Sequence, residues 1–317
     1  MTKKFLWCFL ICCSLISVLT VAEGMNSYAS QICWTTGGWG GGQVYRANID
    51  GTDSEMIMSS PESAYIGITW DNSIHHVFTA GEGMIQRADL NGANQMQLVS
   101  GNWYSEGIAL HSEAGKMYWT TFDGPFVQEM NGTLQRSDFD GTHVEVLFSS
   151  NARLNGLALD TSNQKIYWTQ GDEWDTWRIY RANMDMTGIV SIVDGTETLG
   201  IALDTINGKL YWTDWARGTV SRSNLDGSAI EELYSTPDGH PHSIALDPGE
   251  DKMYWTEWDT DVIMSANLDG SGVETLIDTA TRPMGIAIVN PVPVPAAAWL
   301  LASGLLPLAG LRHRNKG

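Results

Sequence analysis

KLYWTDW, Lys209 to Trp215, has near-copies at three other places: KMYWTTF from Lys116, KIYWTQG from Lys165 and KMYWTEW from Lys252. Aligned on the WT dipeptide, the tryptophans are Trp34, Trp119, Trp168, Trp212 and Trp255, and Phe78 of HVFTA fills the remaining slot. The intervals are 44, 41, 49, 44 and 43 residues. Two further phrases travel with the first in fixed order. One is GITWD (Gly67), GIALH (Gly107), GLALD (Gly156), GIALD (Gly200), SIALD (Ser243) and GIAIV (Gly285). The other is RANIDGT (Arg46), RADLNGA (Arg87), RSDFDGT (Arg136), RANMDMT (Arg181), RSNLDGS (Arg222) and SANLDGS (Ser265). Three co-travelling phrases at a period near 43 residues indicate a radial or stacked repeat.

Each phrase reads as a short strand bounded by turn residues. DTSNQK, DTINGK and DPGEDK form hairpin loops between the first and second. Asp-Gly or Asn-Gly closes the third phrase in five of six units, a tight-turn signal. A fourth apolar segment follows, as in EVLFS (Glu145), EELYS (Glu231) and ETLID (Glu274). Four antiparallel strands repeated six times predict an all-β, six-bladed β-propeller over residues 31–289. The phasing adds a closure: ICWTT lacks a GIALD-type strand before it, and GIAIV lacks a YWT strand after it. Residues 285–289 are therefore expected to pair beside Ile32–Thr36 in a shared blade, removing an open edge.

Alternate side chains of a strand point to opposite faces, and blades pack face to face, so both faces of K-x-Y-W-T are expected to be buried. Each Trp brings about 200 Å² of apolar surface and an N–H that needs a partner. Cys33 sits in the Tyr slot of its unit and reads as a packing residue. The other three cysteines, Cys8, Cys12 and Cys13, lie in the N-terminal apolar run, so the mature chain has no internal disulfide.

The YWTD phrase with its flanking GIALD and R-x-N-x-DG phrases closely resembles the class B repeats of the low-density lipoprotein receptor family. That resemblance covers about residues 31–289. It implies a six-bladed propeller that binds protein ligands or packs against neighbouring modules, without catalytic activity. At the fourth motif position only Asp214 matches, with Thr36, Ala80, Thr121, Gln170 and Glu257 in the other units.

Both ends read as addresses. Residues 1–22 resemble a secretory signal peptide, with two lysines and an apolar run from Phe5 to Val21. Cleavage is expected after Ala22, with Ala29 a second site and an uncleaved anchor the alternative, and residues 23–30 form a linker. The tail, residues 290–317, resembles a PEP-CTERM sorting signal of the VPxPA variant. Val292, Pro293, Pro295 and Ala296 precede an apolar stretch barely long enough to span a bilayer, and Arg312 and Arg314 form a basic end. Both terminal segments are expected to be short helices outside the propeller. The expected partners are a signal peptidase, an exosortase-type processing enzyme and, transiently, the membrane, with a plain C-terminal anchor as the alternative. The protein is thus expected at the bacterial surface or in the extracellular matrix.

The chain of 317 residues carries −19 net charge, and without the five basic residues of its ends the remainder carries −24. Such a surface repels phosphate backbones, which excludes nucleic acid as a partner. No G-x-S-x-G, Cys–His pair or phosphate loop is present. NLDGSAIEE and DFDGTHVE lack the glutamate of an EF-hand at the twelfth position and read as turns. His240 and His242 of GHPHS could chelate, but they fall at a recurring loop-to-strand junction, so no metal or other cofactor is expected.

The candidate binding face lies in the loops after the repeated Trp. These carry Trp39, Phe122, Trp174, Trp177, Asp214, Trp215, Glu257, Trp258 and Asp259. The same face should hold the residues entering each inner strand, of which Glu106, Asn155 and His242 are the polar ones. Aromatic groups beside carboxylates suit a protein or polysaccharide ligand, stacked sugars or cationic groups, unless they only cap the blades. The reading is of a non-enzymatic binding or scaffold protein. Its alternatives are a lactonase- or sugar-dehydrogenase-like propeller enzyme with a channel metal or quinone, and a matrix component without a discrete ligand.

Overall fold

The computed structural model describes residues 30–289 apart from 39–40, 102, 124–130, 172–176, 196 and 237–238. Six four-stranded antiparallel sheets make up this unit. The first blade contains β1 (Gln31–Gly38), β2 (Gly41–Asn48) and β3 (Glu55–Ser60); the second, β4 (Tyr65–Asp71), β5 (His76–Gly81), β6 (Met84–Asp89) and β7 (Met96–Ser100). The third contains β8 (Ile108–His111), β9 (Lys116–Phe122), β10 (Gly132–Asp138) and β11 (Glu145–Ser150). In the fourth are β12 (Arg153–Asp160), β13 (Lys165–Gly171), β14 (Arg178–Asn183) and β15 (Val190–Asp194). The fifth has β16 (Thr198–Asp204), β17 (Lys209–Asp214), β18 (Thr219–Asn224) and β19 (Glu231–Ser235). β20 (Pro241–Asp247), β21 (Lys252–Glu257), β22 (Val262–Asn267) and β23 (Glu274–Asp278) form the sixth. β24 (Pro283–Val289) completes the first blade by pairing with β1, Gln31 opposite Val289 and Cys33 opposite Ala287. The ring therefore closes as the phasing of the repeats predicts. The signal-peptide segment 1–22, residues 23–29 of the linker and the tail 290–317 lie outside the described residues. Among the described residues no helix is long and apolar enough to cross a membrane.

The aromatic phrase is buried on both faces. In β17 every residue after Lys209 is buried, and Trp34, Trp119, Trp168, Trp212 and Trp255 are among the largest buried side chains. Cys33 is fully buried, and burial pushes its thiol pKa up to about 12. In two units the indole N–H finds its acceptor in the residue two positions later, which shares its face of the strand. Trp255 Nε1 donates to Glu257 Oε1 at 2.8 Å and Trp168 Nε1 to Gln170 Oε1 at 3.2 Å. In the units where Thr36 and Thr121 hold that slot, the Trp34 and Trp119 N–H groups have no partner.

The other residues of the phrases fasten each blade to the next. Tyr211 Oη and Arg222 Nη1 both donate to the carbonyl of Leu268 in the following blade, at 3.2 and 2.8 Å. Arg181 Nη1 reaches Leu225 O at 3.1 Å and Arg46 Nη1 reaches Leu90 O at 3.2 Å. The glycine of the Asp-Gly turn allows this close docking. Gly270 has φ +85°, and a Cβ there would stand 2.7 Å from the Leu233 carbonyl of the preceding blade. The unit without the glycine holds Met186 at φ +63° instead. The turns that superficially resemble calcium loops are closed by their own side chains, as where Asp226 Oδ1 accepts from Ser228 N at 2.9 Å.

Nearest the axis, the Thr of YWT performs two tasks. Thr213 Oγ1 accepts from Gly200 N in its own blade at 3.0 Å and donates to His242 O of the next at 2.9 Å. Thr35 does the same between Gly285 N and Ile66 O, and Thr256 between Ser243 N and Met284 O. Thr120 reaches Asn155 O at 2.5 Å and Thr169 reaches Leu199 O at 3.3 Å. The exception is Thr79, whose buried hydroxyl has no partner. We expect Thr213→Val to lower the urea-unfolding free energy by about 1–3 kcal/mol, because it strands two buried backbone groups. Thr79→Val, measured the same way, is expected to be neutral or slightly stabilising.

Candidate functional site

The inner strands line a central cavity of about 330 Å³. The residues lining it are mainly apolar in type, from Ile66 and Ile68 round through Ile108, Leu157, Ile201 and Ile244 to Ile286, but the surface they present to the cavity is largely polar, and Glu106 and His242 stand at one end. That end is the mouth. The hairpins after the repeated Trp share it, as expected: Trp215 N donates to Glu197 O at 2.9 Å and Trp258 N to His240 O at 3.1 Å.

The structure brings Glu106, Asn155 and His242 together there. Arg153 Nη2 pairs with Glu106 Oε1, and Arg153 Nε donates to Asn155 Oδ1 at 2.8 Å. His242 is 7% exposed, and burial holds its imidazole below the usual histidine range, opposed in part by the charge of Glu106. Glu106 Oε2, Asn155 Nδ2 and His242 Nδ1 are buried without a hydrogen-bond partner among the described residues. Other buried atoms also lack a partner among the described residues, Asp214 Oδ2 and Glu257 Oε2 included, but these three come from three blades around Arg153 and the cavity end, a place where a ligand can supply the partners. Glu106 owes its position to the irregular start of the third blade, where only an isolated bridge from Tyr104 to Phe122 precedes β8.

The remaining candidates divide. Asp214 and Glu257 are not at a solvent-facing edge; they are 1% and 2% exposed. Asp214 Oδ1 accepts from Arg217 N at 3.0 Å and caps its own turn, and burial raises its pKa. Glu257 holds the Trp255 indole, and burial raises its pKa to about 7. Phe122 is the buried last residue of β9, and Trp177, also buried, lies against Gly171 of its own blade. Trp215 and Trp258 are half-buried at the mouth, 5.2 Å apart edge to face, and Trp215 also contacts the rings of His240 and His242. Exposed Asp259 pairs with His240, Nδ1 to Oδ2 at 2.5 Å. Trp39 and Trp174 lie outside the described residues, as do Val292, Pro293, Pro295, Ala296, Arg312 and Arg314.

Sequence reading missed the cations of this face. Arg153 lies 4.2 Å from the Phe122 ring and Arg282 4.0 Å from the Trp258 ring, so the protein's own guanidinium groups already occupy two aromatic faces. Arg153, His240 and Arg282 each stand two residues before an entry residue, Asn155, His242 and Met284. That spacing was the available signal. A resident divalent metal does not fit these residues. The Arg153 guanidinium lies between the oxygens of Glu106 and Asn155, and among the described residues no three His, Cys, Asp or Glu side chains are grouped to hold an ion.

Comparison with known proteins now decides the family. The model of the SMP-30/Gluconolactonase/LRE-like region matches residues 40–259, more than half of the chain. The chain belongs to that family. The low-density lipoprotein receptor repeat class B model also matches, over residues 251–291. No curated protein matches the chain. Among solved structures, the crystal structure of a nidogen/laminin complex is similar at TM-score 0.71 and 20% identity, covering 83% of this chain and 100% of that one. TolB from Acinetobacter baumannii follows at TM-score 0.66 and 13% identity, covering 83% and 67%. Oligogalacturonate lyase from Vibrio parahaemolyticus gives 0.52 and 12%, covering 75% and 71%. At these identities the structures show the fold alone.

Family membership overturns the expectation that the protein is not an enzyme. That expectation rested on the YWTD resemblance. The repeated phrase encodes blade packing and fastening, which a gluconolactonase-type propeller needs as much as a binding one, so it carries no information on catalysis.

The raised pKa of Glu257 has a stability consequence. A carboxyl with an ordinary pKa of 4.5 unfolded and about 7 folded keeps its proton longer in the fold. The contribution of Glu257 to stability is therefore fully present below pH 4.5 and is lost as pH rises through about 7, by roughly 3 kcal/mol at most. Glu257→Gln should flatten that fall in denaturant unfolding measured between pH 4.5 and 8.

Proposed function

We propose that the protein is exported and binds a saccharide at the channel mouth, with a sugar lactone the substrate class that its family indicates. The observation that carries this reading is the set of unpaired buried atoms at the mouth. Glu106 Oε2 accepts, Asn155 Nδ2 donates, and His242 Nδ1 lies on an imidazole that burial holds neutral. Vicinal hydroxyls, each both donor and acceptor, match such a mixed set. Trp215 and Trp258 supply a partly exposed aromatic edge beside it, suited to the apolar face of a sugar ring.

Hydrolysis of the lactone is the second reading. It is favoured by a buried imidazole beside a carboxylate, a pair able to activate water at a ring ester. Export and tail processing are supported by the sequence of the two ends, 1–22 and 290–317.

The test is titration of the purified protein with a panel of neutral and acidic oligosaccharides and sugar lactones, with acid release followed in a pH-stat. We expect saturable binding of at least one member, weakened tenfold or more in Trp215→Ala and in Glu106→Gln, with both variants folded by near-ultraviolet circular dichroism. Lactone turnover lost in His242→Ala would establish the hydrolytic reading. Absence of binding across the panel, or binding indifferent to these substitutions, would contradict the proposal. The intact mass of the secreted protein should lack residues 1–22.

A further inference from the structure

We propose that Arg153 is a built-in cation that takes the place of a divalent metal at the channel mouth and makes the site metal-independent. Glu106 and His242 line the opening and Asn155 lies behind it, joined to Glu106 through Arg153; a carboxylate, an amide and an imidazole are a donor set that ordinarily suits a divalent ion. The guanidinium satisfies the very oxygens such an ion would use. It pairs with Glu106 Oε1 and donates to Asn155 Oδ1 at 2.8 Å.

Two further features hold it there. The Phe122 ring supports the guanidinium at 4.2 Å, and Phe122 is itself 3% exposed and fixed at the end of β9. The two bonds to oxygen fix the plane of the planar guanidinium group. With Asn155 Oδ1 committed to Arg153, the atom left unpaired is Nδ2, a donor, which repels a cation. A metal entering this mouth would have to break two charge-assisted hydrogen bonds or sit beside a permanent positive charge. The arrangement instead leaves one carboxylate oxygen, one amide N–H group and one ring nitrogen free for a neutral ligand. The inference concerns cation binding alone, so it stands or falls independently of which saccharide, if any, the mouth takes.

The experiment is isothermal titration of EDTA-treated protein with Ca2+, Mn2+ and Zn2+, paired with melting curves. It uses wild type, Glu106→Gln, Arg153→Lys, Arg153→Met and Arg153→Met combined with Glu106→Gln. Wild type and Arg153→Lys should take up no stoichiometric ion, and EDTA should leave their melting temperatures unchanged. Arg153→Met, which leaves Glu106 unpaired, should melt lower, bind one ion per chain and regain melting temperature with it. The double variant should lose that uptake. One ion bound by wild type and lost in Glu106→Gln would overturn the proposal, as would a folded Arg153→Met that binds none. Should Arg153→Met fail to fold, the wild-type and Arg153→Lys titrations decide the matter by themselves.

Discussion

The threonine hydroxyl that follows each buried tryptophan is the interaction on which the structure depends. It accepts from a backbone N–H of its own blade and donates to the residue entering the next blade, as Thr213 does between Gly200 and His242. One hydroxyl thus joins strand to strand and blade to blade just behind the strands that line the channel. Because the chain closes β24 onto β1, these bonds run round the axis, interrupted at Thr79. They also place the entry residues, which are the residues that form the mouth. Fold and site therefore share one constraint, and the irregular point of the ring, at Thr79, is where Glu106 enters the mouth.

Much of the fold was legible in the sequence because its information is repeated. Any one YWT phrase is a weak signal, but six copies with two companions fix strand order, blade count and closure, including the pairing of residues 285–289 with β1. The fate of Asp214 and Glu257 was not legible. In sequence they stand where the copies diverge, which suggests function. In the fold they are buried groups that cap a turn or hold an indole, as Glu257 holds Trp255. At this position Glu257 and Gln170 accept from the indole, Asp214 caps its turn, and Thr36 and Thr121 leave the indole N–H without a partner among the described residues.

The mouth was half legible. Glu106, Asn155 and His242 were identifiable as the polar members of an apolar ring. Arg153 and Arg282 were less so, because they share only their place two residues before an entry residue, a position that holds Ala64, Tyr104, Glu197 and His240 in the other units. Their contacts with Phe122 and Trp258 change the chemistry of the face from one awaiting a cation to one that already contains two. The YWTD pattern misled on catalysis for a related reason. It describes how blades are fastened, whereas the family match over residues 40–259 reaches across the parts of the chain that build the mouth.

Amide hydrogen exchange tests the central claim most directly. The N–H groups of Gly107, Gly156, Gly200, Ser243 and Gly285 all donate to the threonine hydroxyls. If those bonds hold one closed ring, the five amides should exchange only through global unfolding, at a common free energy equal to that from denaturant titration. Five separate, lower opening energies, one for each blade, would show that the blades open independently and that the threonine ring does not hold the mouth.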